Sequence, residues 1–391
     1  MNATNKLIFI AIETSCDETS VSVLEASDAG FKVLSNEVSS QVNLHARWGG
    51  VVPNLAAREH AKNITTVFEL SLQNAGIKIK DIDLIAVTEG PGLIPALMVG
   101  TTFAKTLAYL LEKPLIGIHH IEGHIYANLI SAKKQEAGDK KNAFMSHVAR
   151  HMFPALCLVV SGGHTQLIYM KDHLQYEIIG QTLDDAAGEA FDKVARILNI
   201  GYPGGPIISA YAEKFRKKIE FENPDWKIDS KFKNQNSKLS IYFPRPMMNK
   251  KGFNFSFSGL KTAVLYETKK HPELVKDKKY IAAVCHEFQQ AVTDVLVLKT
   301  IKAAEKYAPK TIMLAGGVSA NKKLREQLGK AIKEFIPNTI YQIPDISLTG
   351  DNAAMTAAAA AVRWQKMSDL QKKRALHGWK TLQPDANLKL K

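Results

Sequence analysis

The sequence predicts an α/β fold built from two related halves. Segments with the pattern of buried strands alternate with segments that have the 3.6-residue periodicity of helices, which is typical of α/β proteins. Two strand–turn–strand units, residues 7–24 and 155–170, follow the same plan about half a chain apart. At 391 residues the chain is longer than one ordinary hydrophobic core, so two domains are expected.

The first strand–turn–strand unit begins with residues 7–12, a continuous apolar run typical of a buried strand. A short polar turn follows, and residues 19–24 then alternate between polar and apolar, as a half-buried strand does. The second unit repeats this plan with residues 155–160 and 164–170 around a turn of small residues. Because hairpins are the commonest unit of β-sheets, the repeat by itself is only a weak sign of duplicated domains.

Between and after these units the sequence predicts helices and further short strands. Helical periodicity is clearest in residues 55–72, 96–111, 281–307 and 321–335, and the strands are predicted at 84–87, 115–118 and 311–315. Two segments, residues 131–151 and 213–238, have the character of insertions, and the second is rich in Lys, Asn and Asp. Each is expected to be an exposed loop or a short helix.

The composition indicates a soluble globular protein, with 46% hydrophobic and 23% charged residues. The 51 Lys and Arg against 38 Asp and Glu leave a net charge of +13, which favours a polyanionic partner, although Lys-rich solvated loops produce the same excess. Three cysteines at unrelated spacings (Cys16, Cys157 and Cys285) argue against a disulfide framework and a zinc knuckle. The uncharged apolar stretch at residues 90–104 is shorter than the roughly 20 residues of a membrane helix, so a cytoplasmic protein without a membrane span is expected.

The segment His-Ile-Glu-Gly-His at residues 120–124 is a candidate metal site, because imidazoles at i and i+4 project from one helix face. Zinc proteases share this spacing, but their general-base Glu directly follows the first His or directly precedes the second. Glu122 instead lies about 200° around the helix from His120 and is expected to point away from the metal, so the geometry excludes a protease. Asp351, just before an Ala-rich helix, is the candidate third ligand; its alternative role is a helix N-cap.

Three turns with paired glycines, at residues 161–163, 202–205 and 316–317, suggest a nucleotide cleft lined by loops. Glycine lets a flat ring or a phosphate approach the backbone, and a helix N-terminus behind the turn favours an anion. The chain has neither the Rossmann nor the Walker A pattern. Asp192 lies in a carboxylate-rich segment and could accept hydrogen bonds from a ribose diol or an ammonium group; alternatively, it belongs to a solvated helix face.

Seven motifs in a fixed order carry a more specific signal. They are IETSCDET from residue 12, HHIEGH from 119, VSGGHTQ from 160, DDAAGEAFDK from 184, YPGG from 202, FSFSGLKT from 255 and AGGVSAN from 315. Together they resemble the tRNA N6-adenosine threonylcarbamoyltransferase family in its bacterial and organellar form, formerly described as an O-sialoglycoprotein endopeptidase or glycoprotease. The likeness runs from about residue 7 to residue 366, interrupted by the two insertions. Ile94 and Pro95 replace the usual Val-Gly, with little consequence expected, since Pro is tolerated in a first helical turn.

The resemblance implies a fold like that of actin, Hsp70 and the sugar kinases, with two ribonuclease-H-like domains around a nucleotide cleft. The N-terminal domain would comprise residues 1–124, with a C-terminal helix in 365–391 packing back on it, and the second domain residues 125–364. The resemblance also implies an iron(II) or zinc ion held by His120, His124 and Asp351. The matching substrate contacts are Val159, Val160, Ser161, Gly162, Gly163, Asp192, Gly205 and Asn321.

The activity implied by the resemblance is transfer of a threonylcarbamoyl group from threonylcarbamoyl-adenylate to N6 of adenosine 37, in tRNAs that read codons starting with A, with release of AMP. The implied partners are tRNA, a small paralogue of the N-terminal domain and a P-loop ATPase; a homo-oligomer is left open. Because an adenine amine is a poor nucleophile, the reaction needs a base, for which Asp17 or Glu18 is the candidate; turn formation is their alternative role. The alternatives to this activity are a metal-free small-molecule kinase of the same superfamily and a non-catalytic tRNA-binding scaffold.

Overall fold

The computed structural model describes residues 6–27, 30–130, 152–222 and 241–391, with the backbone alone at 218–222. The predicted insertion at 131–151 lies outside the described residues, as do residues 223–238 of the second predicted insertion. Residues 213–222 of that second insertion form the end of a helix. Two five-stranded sheets organise the described part of the chain.

The first sheet has the order β3-β2-β1-β4-β5. Its strands are β1 (Leu7–Glu13), β2 (Glu18–Ser27), β3 (Gly30–Ser40), β4 (Leu84–Gly90) and β5 (Leu115–His119). β1, β2 and β3 pair antiparallel, whereas β4 runs parallel to β1 and β5 parallel to β4. The predicted hairpin and the two predicted short strands are present, and β3 is an additional strand that the sequence analysis missed.

The second sheet has the order β10-β9-β6-β7-β8. Its strands are β6 (Ala155–Val160), β7 (Thr165–Met170), β8 (Tyr176–Gln181), β9 (Thr311–Ala315) and β10 (Ile340–Gln342). β6, β7 and β8 pair antiparallel, and β9 and β10 add in parallel, so the sheet repeats the topology of the first. The repeat predicted from the two hairpins therefore extends over all five strands of each sheet.

Helices cover the two sheets. In the described residues they are α1 (Val42–Ala46), α2 (Pro53–Ala75), α3 (Ile94–Leu111), α4 (His120–Tyr126), α5 (Ala187–Ile197), α6 (Gly204–Glu222), α7 (Ser258–Lys270), α8 (Lys278–Tyr307), α9 (Lys322–Phe335), α10 (Ala353–Lys366), α11 (Asp369–Ala375) and α12 (Gly378–Thr381). The four predicted helices correspond to α2, α3, α8 and α9. Pro53 begins α2 and Pro95 lies in the first turn of α3, where a missing backbone N–H costs nothing.

Helices α4 and α10 lie between the two sheets. One buried cluster joins residues of β1 and β6, such as Phe9 and Val159, with the alanines of α10. Every residue of α10 from Ala353 to Val362 is buried, which a solvent-facing amphipathic helix would not show. The small alanine side chains let α10 pack closely against α4, β1 and β2.

The end of the chain lies against the first sheet's helices. Helix α12 contacts α3 and β5, and the ring of Trp379 packs edge-on against Tyr109 at 4.9 Å between centroids. Residues 365–391 contain two short helices, α11 and α12, in place of the single helix expected. The domain boundaries themselves stay a prediction.

Two helices, α3 and α8, have the length and mean hydropathy of a membrane-crossing segment. For α8, 67% of the apolar window is buried inside the protein, and for α3 33% is buried. Core helices of soluble proteins also have this length and mean hydropathy, so the two helices are weak evidence for a membrane span.

Candidate metal centre and nucleotide cleft

Three predicted ligands from two distant parts of the chain meet between the sheets. Helix α4 begins where β5 ends, and His120 and His124 lie one turn apart on it. Asp351 immediately precedes α10, whose N-cap is Asn352, so the alternative of Asp351 as the N-cap is wrong. Asp351 Oδ1 lies 3.6 Å from His120 Nε2 and 3.2 Å from His124 Nε2. One ligand atom from each residue falls within 4.8 Å of the others.

The burial and hydrogen bonding of His124 test whether these residues fit a metal ion. Its side chain is only 1% exposed, yet neither ring nitrogen has a well-aligned hydrogen-bond partner among the described residues. Buried polar atoms are normally satisfied, so the Nε2 atom that faces Asp351 is ready to coordinate an ion. Two imidazoles and one carboxylate suit zinc or iron(II) and leave coordination positions open for a substrate. The residues therefore fit the predicted ion.

Glu13, at the end of β1, orients the first ligand and is a residue that the sequence analysis missed. It is fully buried, and its Oε2 lies 3.2 Å from Nδ1 of His120. The same carboxylate accepts hydrogen bonds of 2.6 Å from the Ser15 backbone N–H and the Thr88 hydroxyl. Because Glu13 holds Nδ1 of His120, the Nε2 atom of the same ring faces Asp351. This arrangement is common around metal-binding histidines. The only available signal was the position of Glu13 in the first motif.

The charges around His120 favour its protonated form when no ion is bound. Burial alone lowers the pKa of His120, but the carboxylates of Asp351 and Glu13 outweigh burial and raise it to about 9. A metal ion must therefore displace a proton from this ring.

Glu122 points away from the two imidazoles, as the sequence predicted. It is fully buried, and its carboxylate pairs with the guanidinium of Arg363 on α10, with Oε2 2.7 Å from Nη2. A second hydrogen bond joins Nε to Oε1 at 2.5 Å. The carboxylate is committed to this ion pair and cannot act as the general base of a protease.

Asp17 ends the turn between β1 and β2, and Glu18 is the first residue of β2. Asp17 is only 7% exposed, and Glu18 accepts a 3.0 Å hydrogen bond from the Ser40 hydroxyl. Burial, followed by the negative charges of Asp351 and Asp17, raises the pKa of Glu18 well above its usual value. Glu18 is therefore near both Asp351 and Asp17.

A cavity of about 470 Å³ lies beside the second sheet. Its lining includes Gly162, Asp192, Gly205 and Asn321, four of the predicted substrate contacts. The other four predicted contacts (Val159, Val160, Ser161 and Gly163) do not line the described cavity; they form the end of β6 and the turn that carries Gly162.

Asp192 and Asn321 each hold part of the cavity wall in place. Asp192 accepts a 2.7 Å hydrogen bond from the Gly204 backbone N–H, which fixes the start of α6 against α5. Burial raises the pKa of Asp192, and the nearby charge of Asp17 adds to this rise. Asn321 caps α9 and donates hydrogen bonds to Ser209 Oγ at 3.0 Å and Gln289 Oε1 at 2.8 Å.

Ser209 and Gln289 also line the cavity, although the sequence analysis did not single them out. Neither lies in one of the seven motifs, so no sequence signal distinguished them from ordinary helix residues. The cavity therefore combines glycine turns with side chains from α5, α6, α8 and α9.

Comparison with known proteins agrees with this geometry. The sequence model of a family described as tRNA N6-adenosine threonylcarbamoyltransferase matches residues 32–358. A protein of that name from Thermosipho melanesiensis is 45% identical over 93% of this chain and 97% of its own length. The Bacillus subtilis protein of the same name is 43% identical over 94% of this chain and 93% of its own length.

Among solved structures, HypF from T. kodakarensis aligns with 92% of this chain and 48% of its own chain, with a TM-score of 0.53 and 12% identity. At this identity the likeness concerns the fold alone. Together with the two five-stranded mixed sheets, it fits the predicted fold of the actin and sugar-kinase class.

Proposed function

The chain belongs to the tRNA N6-adenosine threonylcarbamoyltransferase family, and on that premise we propose that it uses threonylcarbamoyl-adenylate as donor. The acceptor is N6 of adenosine 37 in tRNAs that read codons starting with A, and AMP is released. One observation carries the proposal: a His-His-Asp cluster lies close to the buried Asp17 and the half-buried Glu18 in a fold that also has a glycine-lined cavity.

The reaction joins the adenine amine to an activated carbonyl. The N6 nitrogen forms a bond to the carbamoyl carbon of the mixed anhydride, the bond from that carbon to the phosphate oxygen breaks, and AMP leaves with the electron pair. The amine is a weak nucleophile because its lone pair is delocalised into the ring, and it must lose a proton as the new bond forms, since the nitrogen would otherwise carry a positive charge. A base within hydrogen-bond reach of N6 is therefore required.

Asp17 is the proposed base, with Glu18 beside it. The raised pKa of Glu18 favours its neutral form, which can donate a hydrogen bond to Asp17 but accepts a proton poorly. An ion held by His120, His124 and Asp351 would supply positive charge that orients the donor and stabilises the phosphate as it departs.

The cleft residues bind and orient the donor's nucleotide. Gly162 and Gly205 have no atoms within 4 Å of an added Cβ, so their backbone is open to a phosphate or a flat ring. Asp192 lines the same cavity, and its proposed role is to accept hydrogen bonds from ribose hydroxyls. In the turn after β6 the Ser161 N–H is bonded to the His164 carbonyl, so the backbone N–H groups proposed to meet phosphate oxygens are those of Gly162 and Gly163.

The proposed location of the enzyme is the cytoplasm. Its proposed substrate is tRNA, and its proposed protein partners are a small paralogue of its N-terminal domain and a P-loop ATPase. The net charge of +13 supports an electrostatic contribution to tRNA binding. The resident ion is iron(II) or zinc, and a homo-oligomer remains compatible with the family.

An Asp17→Asn variant tests the assigned base. Loss of general-base catalysis typically lowers a rate by about 100- to 10,000-fold, and we expect a loss of this size at saturating adenylate. In Glu18→Gln the residue beside Asp17 is still neutral, so this variant is expected to lose much less of its transfer rate. An unchanged transfer rate in Asp17→Asn would remove Asp17 from the mechanism.

Two measurements on the purified protein distinguish the proposal from its alternatives. The first is metal content, and the second is the mass of tRNA nucleosides after incubation with threonine, bicarbonate, ATP and the enzymes that make the adenylate. A transferase gives one bound ion and a modified adenosine. A small-molecule kinase gives neither, and a tRNA-binding scaffold gives bound but unmodified tRNA.

A further inference from the structure

We infer that the ion pair between Glu122 and Arg363 is a positioning device that sets the distance between the two imidazole ligands and Asp351. The inference rests on the metal centre of the proposed function, but not on the reaction assigned to it. Glu122 lies between His120 and His124 on α4, and Arg363 lies on α10, the helix that Asp351 precedes. The pair therefore joins the two elements that supply all three ligands.

Helices α4 and α10 meet at three points in a row along α10. Asp351, before the helix, faces the imidazoles, and Met355 packs against Gly123, where an added Cβ would lie 3.1 Å from the Met355 Cγ. Arg363 then meets Glu122, about 12 Å further along the helix at 1.5 Å per residue. The tight contact of Gly123 with Met355 thus lies between the metal ligands and the ion pair.

This order makes the Gly123 contact a pivot. A tilt of α4 about the pivot moves the imidazoles relative to Asp351 and, at the same time, moves Glu122 relative to Arg363. The two-pronged hydrogen bonding of Arg363 opposes such a tilt, because a guanidinium fork fits a carboxylate in one orientation. Metal sites tolerate only about 0.2 Å of error in ligand distances, so a small tilt is enough to weaken binding.

The burial of Glu122, paired with an Arg363 side chain that is 33% exposed, supports a specific role. Glu122 has no solvent exposure, so its charge depends on Arg363 for compensation. Buried ion pairs are seldom better for stability than well-packed apolar residues, and their best-attested use is to specify one arrangement over others. Here the arrangement specified is the alignment of α4 on α10.

The experiment measures metal affinity on the full chain after removal of bound metal by a chelator. Zn²⁺ and Co²⁺ affinities are determined by competition with a chromophoric chelator, and the visible absorption bands of bound Co²⁺ report the coordination geometry. Glu122→Gln is expected to weaken both affinities by about 10- to 100-fold and to shift the Co²⁺ bands. Arg363→Lys keeps the charge without the fork and is expected to give an intermediate loss.

Glu287→Gln is the matched control, because Glu287 forms another partly buried ion pair, with Arg245, that joins a loop to α8. It is expected to lower the melting temperature of the metal-free protein while leaving metal affinity within twofold. If Glu122→Gln and Arg363→Lys also bind both ions within twofold and leave the Co²⁺ bands unchanged, the pair is merely structural and the inference is wrong. Should Glu122→Gln fail to fold, Arg363→Lys decides by the same criterion.

A His120→Ala variant separates this inference from the proposed function. If the wild-type protein binds no ion, or if His120→Ala binds as tightly as wild type, the metal centre itself is wrong and both fail. If His120→Ala loses the ion and the two ion-pair variants keep it, only the positioning role is refuted.

Discussion

Replacing Gly205 with Val is expected to block the nucleotide cleft without disturbing the fold. Gly205 lies near the start of α6, lines the cavity and has no atom within 4 Å of an added Cβ. The added Cβ therefore meets no protein atom, and because Gly205 lines the cavity, the two methyl groups are expected to enter the space assigned to the nucleotide. Its backbone conformation is one that any residue can adopt, so the substitution is unstrained.

The expected magnitudes follow from packing. A ligand that must accommodate extra methyl groups in a close-fitting site loses about 1–3 kcal/mol, by analogy with overpacked cores. At 1.4 kcal/mol per factor of ten, this weakens AMP binding by roughly 5- to 150-fold. Stability should change by less than about 0.5 kcal/mol, since Val is a slightly better helix former than Gly.

Gly259 provides a matched control. It occupies the corresponding second position of α7, is also free of atoms within 4 Å of an added Cβ, and does not line the described cavity. Gly259→Val should therefore change stability as little as Gly205→Val does, yet leave AMP affinity unchanged. Both are measured by calorimetric titration with AMP and by thermal melting. If Gly205→Val binds AMP within twofold of wild type, the cavity is not the nucleotide site.

Three further predictions concern the metal site, acid stability and tRNA. Glu13→Gln, which removes the charge facing Nδ1 of His120, should weaken Zn²⁺ binding by about 10- to 100-fold in a chelator competition, and unchanged affinity would contradict the orienting role. Burial lowers the pKa of His286 from 6.5 to about 4, so the folded protein binds this proton less readily than the unfolded chain does. The resulting contribution to stability is fully present above pH 6.5 and is lost as the pH falls through 4. The free energy of unfolding, measured with urea, should fall by on the order of 3 kcal/mol over this range, and most of this pH dependence should be absent in His286→Gln. Identical pH profiles for wild type and His286→Gln would refute this assignment. Affinity for tRNA should fall at least about tenfold between 50 and 200 mM salt in filter binding, and salt-independent binding would show that the net charge is incidental.

Much of the candidate site was predictable because it depends on local spacing. Imidazoles four residues apart share a helix face, and a Glu two residues from the first points elsewhere; both follow from 3.6 residues per turn. The structure confirms this for His120, His124 and Glu122. Buried strands such as β1 and β6 were equally clear, since a short unbroken apolar run bounded by polar residues is typical of a strand inside a sheet.

The strands that sequence analysis missed lie at sheet edges. β3, β8 and β10 are mostly half-buried or exposed, so they lack both a continuous apolar run and strict alternation. Their pairing is decided by the neighbouring strand, whose open edge supplies the hydrogen-bond partners.

By itself, the sequence determined the α/β class, the duplicated hairpins and the directions of His120, His124 and Glu122 on α4, because these depend on residues close together in the chain. Only the tertiary structure decided that Asp351 meets His120 and His124, and that Arg363 is the partner of Glu122. Those contacts exist because α10 is buried between the sheets and packs against α4, and such packing is set by the shape of the whole core rather than by any local pattern.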